Sequence, residues 1–163
     1  MESESSFVEN NLKLGARVSV GDFIRSETAD KKKMDNRLPK RLLENARLIV
    51  ALVARCEALL GCRFELLAGY RTPALSVVVG GKKNSFHTFA LAVDGRFKGM
   101  SGEIAGARLS RSGFQFAEIE IKPTSLHLAY DASGVVKLFR QHHAGGAVVR
   151  VQSFSDDGFQ AGA

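Results

Sequence analysis

The feature that most constrains the fold is a change of hydrophobic period near residue 61. Before it, Pro39 stands at a first-turn position and apolar residues follow at helical spacing as far as Leu60. Gly61 then occupies the place where a helix commonly ends. The apolar stripe consists of Leu42, Leu43, Ala46, Ile49, Val50, Val53 and Ala54. We therefore predict one long amphipathic helix whose stripe belongs to the core.

After residue 61, short strand-like runs replace the helical pattern. CRFELLAGYR predicts a strand that runs into a turn, and TPALSVVVGG predicts a short helix or turn. Further strands are predicted in ALAVDGRF, FQFAEIEI, SLHLAY, GVVKLFR and GGAVVRVQSF. A short helix is also expected from Gly21 to about Asp30, so helices come first and strands later. This order predicts an α+β fold with N-terminal helices packed on an antiparallel sheet.

Length and composition indicate one domain. The chain has 163 residues, 45 % of them hydrophobic, which suffices for one core but not for two ordinary domains. We expect a lead-in over residues 1–19, a single domain over 20–154 and a flexible tail over 155–163. No apolar run reaches the ~18 residues of a membrane span, and MESESSFVENN lacks the features of a secretory signal. The chain is thus expected to be made in the cytoplasm.

The charge balance favours an anionic partner. The net charge is +6, and both nucleic acid and bacterial wall polymers are anionic. The basic residues are scattered apart from KKK at 31–33, and the chain has no Trp and 2 Tyr for base stacking. This inventory disfavours nucleic acid. The cysteines, Cys56 and Cys62, are expected to be reduced thiols.

His87, Asp94 and His127 are candidate ligands of one metal ion. Catalytic zinc sites use three His or Asp/Glu ligands and keep a fourth position open. Asp94 ends the run ALAVD, where its carboxylate can project past a sheet edge, and His127 lies inside SLHLAY. His87 lies in a loop that can fold back over both. A loop and two strands would together form an open site.

The same residues also have purely structural interpretations. An aspartate followed by glycine, as at Asp94, is a common turn pair, and a single strand histidine is usually a hydrogen-bonded, half-buried residue. His142 and His143 are adjacent, so they would point to opposite faces of a strand, and we interpret both as surface residues. Spacing alone leaves the metal as the minority interpretation.

Longer motifs change this balance. GYRTPALSVVVGGKKNSFHTFALAVD resembles the central motif of the zinc D-Ala-D-Ala carboxypeptidases and phage endolysin metallopeptidases. The usual pattern of that family is SGYR-(S/T)-P-x-L-N, then VGG, then S-x-H-x-x-G-x-A-x-D, and later W-V-H. Upstream, FIRSETADKKKMDNRLPKRLLENARLIVALV is similar to the segment that precedes the motif in the family, and SLHLAY stands where the last ligand falls. The resemblance covers roughly residues 20–130.

The resemblance implies a fold, a metal and a substrate. It implies a Hedgehog/D-Ala-D-Ala-peptidase-like fold in which His87, Asp94 and His127 bind zinc. Arg71 would hold a substrate carboxylate or carbonyl, which suits its planar donor geometry. The family's substrates are peptidoglycan stem peptides, so the implied protein is a phage-derived, endolysin-type hydrolase for cell wall degradation. It would be a carboxypeptidase or an endopeptidase that acts on the wall after release or as part of a virion.

The sequence departs from the family pattern at several positions, which are Ala68 for Ser, Ser76 for Asn, Ala90 for Gly and Leu126 for an aromatic residue. The largest gap concerns the general base, a carboxylate that many relatives carry three residues before the last histidine. Here that position is Thr124. Glu118 and Glu120 share one face of a predicted strand, and Glu120, being nearer to His127 in sequence, is the candidate base. The alternatives are that both glutamates are solvent-facing, and that the chain is a non-catalytic peptidoglycan-binding or virion structural protein.

Overall fold

A computed structural model describes residues 6–134, residues 138–142 and the backbone of 148–152. The described helices are Val20–Ile24 (α1), Glu27–Lys32 (α2), Leu43–Leu60 (α3), Pro73–Val78 (α4) and Gly102–Ser110 (α5). The described strands are Phe64–Ala68 (β1), Ala92–Phe97 (β2), Phe116–Ile121 (β3), Leu126–Tyr130 (β4), Leu138–His142 (β5) and Val148–Gln152 (β6). The predicted tail over 155–163 and His143 lie outside the described residues. None of the described helices is both long and apolar enough to cross a lipid bilayer.

The strands form a mixed sheet in the order β1-β2-β4-β3-β5-β6. Strands β3 and β4 pair antiparallel, with Glu120 opposite His127, and β5 pairs antiparallel with β6. Strand β5, however, lies parallel to β3. The predicted α+β class is confirmed, but the prediction of an antiparallel sheet is wrong at this pair. Strand β5 lies on the edge of β3 opposite to β4, so it does not pair with β4 as the next strand in a series of hairpins would.

Two compact units are formed, one by the described residues of Met1–Ala51 with Ala68–Val93, and one by those of Leu52–Leu67 with Asp94–Ala163. The buried apolar side chains of the first unit include Val20, Phe23, Leu38, Leu42, Ile49 and Leu75. Within it the predicted lead-in is anchored from residue 6 onward, because Val8 N–H donates to the Leu38 carbonyl at 2.8 Å and Val8 and Leu14 are buried. Residues 6–19 therefore contribute to this unit's core.

The predicted short helix from Gly21 to Asp30 is two helices. A capping box between Ser19 and Asp22 starts α1, and extended backbone at Arg25 ends it. Ser26 then caps α2 by accepting a hydrogen bond from Ala29 N–H. Two capping side chains seven positions apart restart the helix, which apolar spacing alone does not reveal.

The long helix forms as predicted. Pro39 precedes a 3₁₀ turn, Lys40–Leu42, which leads directly into α3. Its end follows from Gly61, which adopts a φ of +66° that a β-carbon would strain. Of the predicted apolar stripe, Leu42, Ala46, Ile49, Val50 and Val53 are buried. Leu43 is half-buried and Ala54 is exposed, so the prediction is wrong at Ala54.

The second unit contains an unpredicted helix, α5, beside β3. Ser101 caps its start by accepting a hydrogen bond from Ile104 N–H. No helix is predicted there because Gly102 and Gly106 both lower helix propensity. A β-carbon at position 106 would lie 2.6 Å from Ile121 Cδ1, so glycine is what allows α5 to approach β3. Close packing takes precedence over propensity in this helix.

Candidate metal centre

The three predicted ligands converge. His87, Asp94 and His127 are each buried, with 4 %, 8 % and 7 % of their surface exposed. Each offers a ligand atom, and these atoms all lie within 4.8 Å of one another. Two imidazoles and one carboxylate are the ligand types of protein zinc sites. The cluster is therefore a candidate metal centre on structural grounds.

His87 is held by a backbone carbonyl. It lies in a 3₁₀ helix, Phe86–Phe89, that ends at Ala90 with a left-handed φ of +56°. An alanine in this conformation costs about 1 kcal/mol. The Nδ1 atom of His87 is 2.6 Å from the Gly69 carbonyl oxygen. Because a carbonyl only accepts, Nδ1 carries the hydrogen and Nε2 carries the lone pair that a metal needs.

The loop that supplies this carbonyl is itself tightly fixed. A β-carbon at Gly69 would lie 2.4 Å from the Phe23 carbonyl oxygen, so only glycine fits. The Asn36 side chain donates to the carbonyls of Ile24 and Tyr70 at 2.8 and 3.0 Å. It also accepts a hydrogen bond from the Thr72 N–H at 2.9 Å. Asn36 thus clamps the segment that orients His87.

The predicted substrate-binding residue lies next to His87 in this segment. The backbone N–H of Arg71 donates to the His87 carbonyl at 3.2 Å. The Arg71 side chain is half-buried. The contact places the backbone of Arg71 beside that of His87.

Asp94 and His127 come from the sheet. Asp94 lies in the middle of β2, because Gly95 continues the strand. The prediction that Asp94 stands at a strand end is therefore wrong. A β-carbon at Gly95 would lie 2.2 Å from the Glu65 carbonyl oxygen, so this glycine permits close strand approach instead of forming a turn. His127 lies in β4, and its Nδ1 atom is 2.9 Å from Asp94 Oδ1. This is a hydrogen-bond distance, so the two side chains are in direct contact.

A second carboxylate approaches the other side of His127. Its Nε2 atom lies 3.5 Å from Glu118 Oε1. Burial is the largest influence on the pKa of His127 and lowers it, but the hydrogen bonds and negative charges of Asp94 and Glu118 outweigh burial and raise the pKa to about 9. The two carboxylates thus place negative charge around His127; a metal would bind the neutral imidazole and so compete with the proton for it.

Glu120, the candidate base, is engaged elsewhere on the same face of the sheet. It stands opposite His127 in the β3–β4 register, yet its Oε1 atom lies 2.5 Å from His142 Nε2 and 3.7 Å from Arg140 Nη1. The side chain of His142 is 18 % exposed. The interpretation of His142 as a surface residue is wrong, because it pairs with a half-buried carboxylate. Thr124 is exposed in the turn between β3 and β4.

The donor set fits zinc. Two imidazole nitrogens and one carboxylate oxygen are zinc ligands, and bond lengths of ~2.0–2.2 Å place neighbouring donors roughly 3.4 Å apart in a tetrahedron. The 2.9 Å between His127 and Asp94 and the 4.8 Å limit of the whole group bracket this value. Small side-chain rotations suffice to meet it. Three protein ligands would leave a fourth position for water or substrate.

Several partners of the ligands are not visible in the sequence. Strand alternation places Glu118 and Glu120 on one face, but it does not say which of them meets His127 and which meets His142. The roles of Asn36 and of the Gly69 carbonyl depend on contacts more than 15 positions apart in the chain. The glycines at 69 and 95 were the available signal, because glycine in or beside a strand often marks close backbone approach.

Comparisons with protein-family models, with curated proteins and with solved structures each give no match. The motif resemblance and the geometry of the cluster are therefore the basis for a functional assignment.

Proposed function

We propose that the chain is a zinc-dependent peptidase that hydrolyses peptidoglycan stem or cross-bridge peptides, as a D,D-carboxypeptidase or an endopeptidase. The observation that carries the proposal is the convergence of His87, Asp94 and His127 in a buried cluster. The segment GYRTPALSVVVGGKKNSFHTFALAVD supports the substrate class through its resemblance to the peptidoglycan metallopeptidases. The net charge of +6 suits an anionic wall.

The proposed chemistry divides among few residues. A bound zinc ion supplies Lewis-acid chemistry, because it polarises a carbonyl group and lowers the pKa of a water molecule. The carboxylate of Glu120 takes the proton from the attacking water and returns it to the leaving amine. His142, at 2.5 Å, holds that carboxylate in place. The Arg71 guanidinium binds a carboxylate or carbonyl of the substrate.

One observation favours the second candidate, a non-catalytic wall-binding or virion protein that keeps the cluster. The carboxylate assigned as the base already contacts both His142 and Arg140, and these contacts compete with a water molecule for its oxygens. The family's usual acid position holds the exposed Thr124. In this case the protein would bind peptidoglycan and leave its peptides intact.

The test is to incubate the purified chain and zinc with peptidoglycan and to identify new peptide termini by mass spectrometry. We expect cleavage that a chelator abolishes and added zinc restores. Replacing a general base costs roughly 10²–10⁴-fold in rate, so Glu120→Gln should fall in that range. An exposed-site variant, Glu103→Gln, serves as the matched control and should retain activity. Sedimentation with insoluble peptidoglycan and no new termini at any zinc concentration would favour the second candidate.

A further inference from the structure

We propose that Glu118 is a positioning residue of the metal centre. Its carboxylate accepts the Nε2 hydrogen of His127 and thereby presents Nδ1 of that histidine to the metal, beside Asp94. The inference rests on the proposed zinc site, but it does not require that the protein cleaves any peptide.

The first support is that His127 is bracketed on both sides. Asp94 Oδ1 lies 2.9 Å from Nδ1 and Glu118 Oε1 lies 3.5 Å from Nε2. Only Asp94 belongs to the cluster of ligand atoms with His87. We place the metal at Nδ1 of His127 because this nitrogen faces Asp94, 2.9 Å from Oδ1. Glu118 faces the opposite nitrogen, where an outer carboxylate fixes the tautomer and raises the basicity of a ligand.

The second support is that His87 and His127 are placed alike: each has an oxygen acceptor near one ring nitrogen, which leaves the other nitrogen for the metal. The Gly69 carbonyl holds Nδ1 of His87, which assigns Nε2 of that residue to the metal. Glu118 Oε1 lies 3.5 Å from Nε2 of His127, and in the proposed arrangement it accepts the hydrogen of that nitrogen and leaves Nδ1 for the metal. Each ligand ring thus has one acceptor behind it, a neutral carbonyl in one case and a carboxylate in the other. Such partners orient the ring before the ion arrives.

The sheet register keeps Glu118 in this position. In β3, Glu118 pairs with Ala129 of β4, so it is the diagonal neighbour of His127 on the same face. The next residue, Ile119, is fully buried and points to the other face. Alternation from Glu118 to Ile119 and the pairing with Ala129 therefore direct the Cβ atom of Glu118 to the face that carries His127.

Glu120 provides a matched control within the same strand. It has the same side chain, lies two positions further along the same face, and is comparably shielded, with 15 % of its side chain exposed against 23 % for Glu118. Its carboxylate contacts His142 at 2.5 Å. The two glutamates therefore differ in which histidine they hold.

The experiment compares zinc affinity, by competition with a chromophoric chelator, in the full chain and in Glu118→Gln and Glu120→Gln. We expect Glu118→Gln to weaken binding by about 10- to 100-fold, the usual effect of losing an outer carboxylate. Glu120→Gln should change it less than about threefold. Unfolding curves of both variants separate a loss of affinity from a loss of folding.

Nitrogen-15 NMR of the histidine rings supplies a readout that a merely structural role would not move. With 4 histidines in the chain, single variants assign each ring. In the zinc-loaded protein we expect His127 to be protonated at Nε2 and metal-bound at Nδ1, and His87 to show the opposite pattern.

Three results from zinc binding and NMR would overturn the inference, and a fourth comes from hydrolysis. They are the Nδ1-protonated form of His127, equal loss of affinity in the two glutamine variants, and a wild-type chain that binds no zinc. Loss of hydrolysis in Glu118→Gln with unchanged zinc affinity would also contradict it. If zinc binds as described while peptidoglycan stays intact, the peptidase proposal fails and the role of Glu118 stands.

Discussion

Replacing Asn36 by alanine should destabilise the protein and loosen the metal centre together. The Asn36 side chain makes three hydrogen bonds, to the carbonyls of Ile24 and Tyr70 and from the N–H of Thr72. The residue is 7 % exposed, so the three backbone groups lose their partner in a poorly hydrated place. At a net value of about 1 kcal/mol for each bond, the free energy of unfolding should fall by about 3 kcal/mol. For a chain of this size, the Tm should fall by about 6–12 °C.

Two further variants test whether the loss of stability comes from the three hydrogen bonds of Asn36. Asn36→Asp keeps the acceptor for Thr72 but places a carboxylate against two carbonyl oxygens, so it should cost at least as much as alanine. Asn45→Ala removes one exposed hydrogen bond to the Phe89 carbonyl and should cost less than about 1 kcal/mol. Urea unfolding monitored by circular dichroism measures all three. The claim that Asn36 stabilises this segment would be refuted if Asn36→Ala lowered the free energy of unfolding by less than about 1 kcal/mol, or if Asn36→Asp were as stable as the wild type.

Two other predictions concern backbone approach and buried thiols. Gly95→Ala should lower the free energy of unfolding by about 3 kcal/mol, because its β-carbon would lie 2.2 Å from the Glu65 carbonyl oxygen. The control is Gly102→Ala, whose β-carbon would have its nearest contact at 3.5 Å and which should be neutral or stabilising. Urea unfolding measures both variants. A stable Gly95→Ala would show that β1 and β2 are not so close. Burial raises the pKa of the Cys56 thiol to about 12, so a thiol reagent at pH 8 should label only Cys62 in the folded protein and both cysteines in denaturant. Fast labelling of Cys56 in the native state would contradict this.

Much of the secondary structure follows from the sequence because its signals are local. The stripe from Pro39 to Leu60 and the glycine after it predict α3, and alternation predicts β1 to β4 close to their observed bounds. Helix α5 is not predicted, because Gly106, which its packing against Ile121 requires, lowers the local helix propensity. The parallel pairing of β5 with β3 is not predicted either, because alternation along a strand does not specify which edge of the sheet the strand joins.

The candidate site shows the same division. Spacing alone leaves His87, Asp94 and His127 as a minority interpretation, the motif resemblance favours them, and the structure brings the three residues together. The glutamate that approaches His127 is Glu118, although Glu120 is nearer in sequence. The assignment of Glu120 as base stays a prediction. Which of two residues on one strand face meets a given partner depends on side-chain direction and on β5, and neither is visible from alternation.

The most direct test of the account is the zinc stoichiometry and affinity of the purified chain and of single-ligand variants. We expect one zinc per chain, and His87→Ala, Asp94→Ala and His127→Ala should each weaken binding by more than about 100-fold, beyond the effect of an outer partner. His142→Ala, which removes a histidine outside the cluster, should bind zinc like the wild type. A wild-type chain that binds no zinc, or a His142→Ala variant that loses as much affinity as the three ligand variants, would contradict the metal centre.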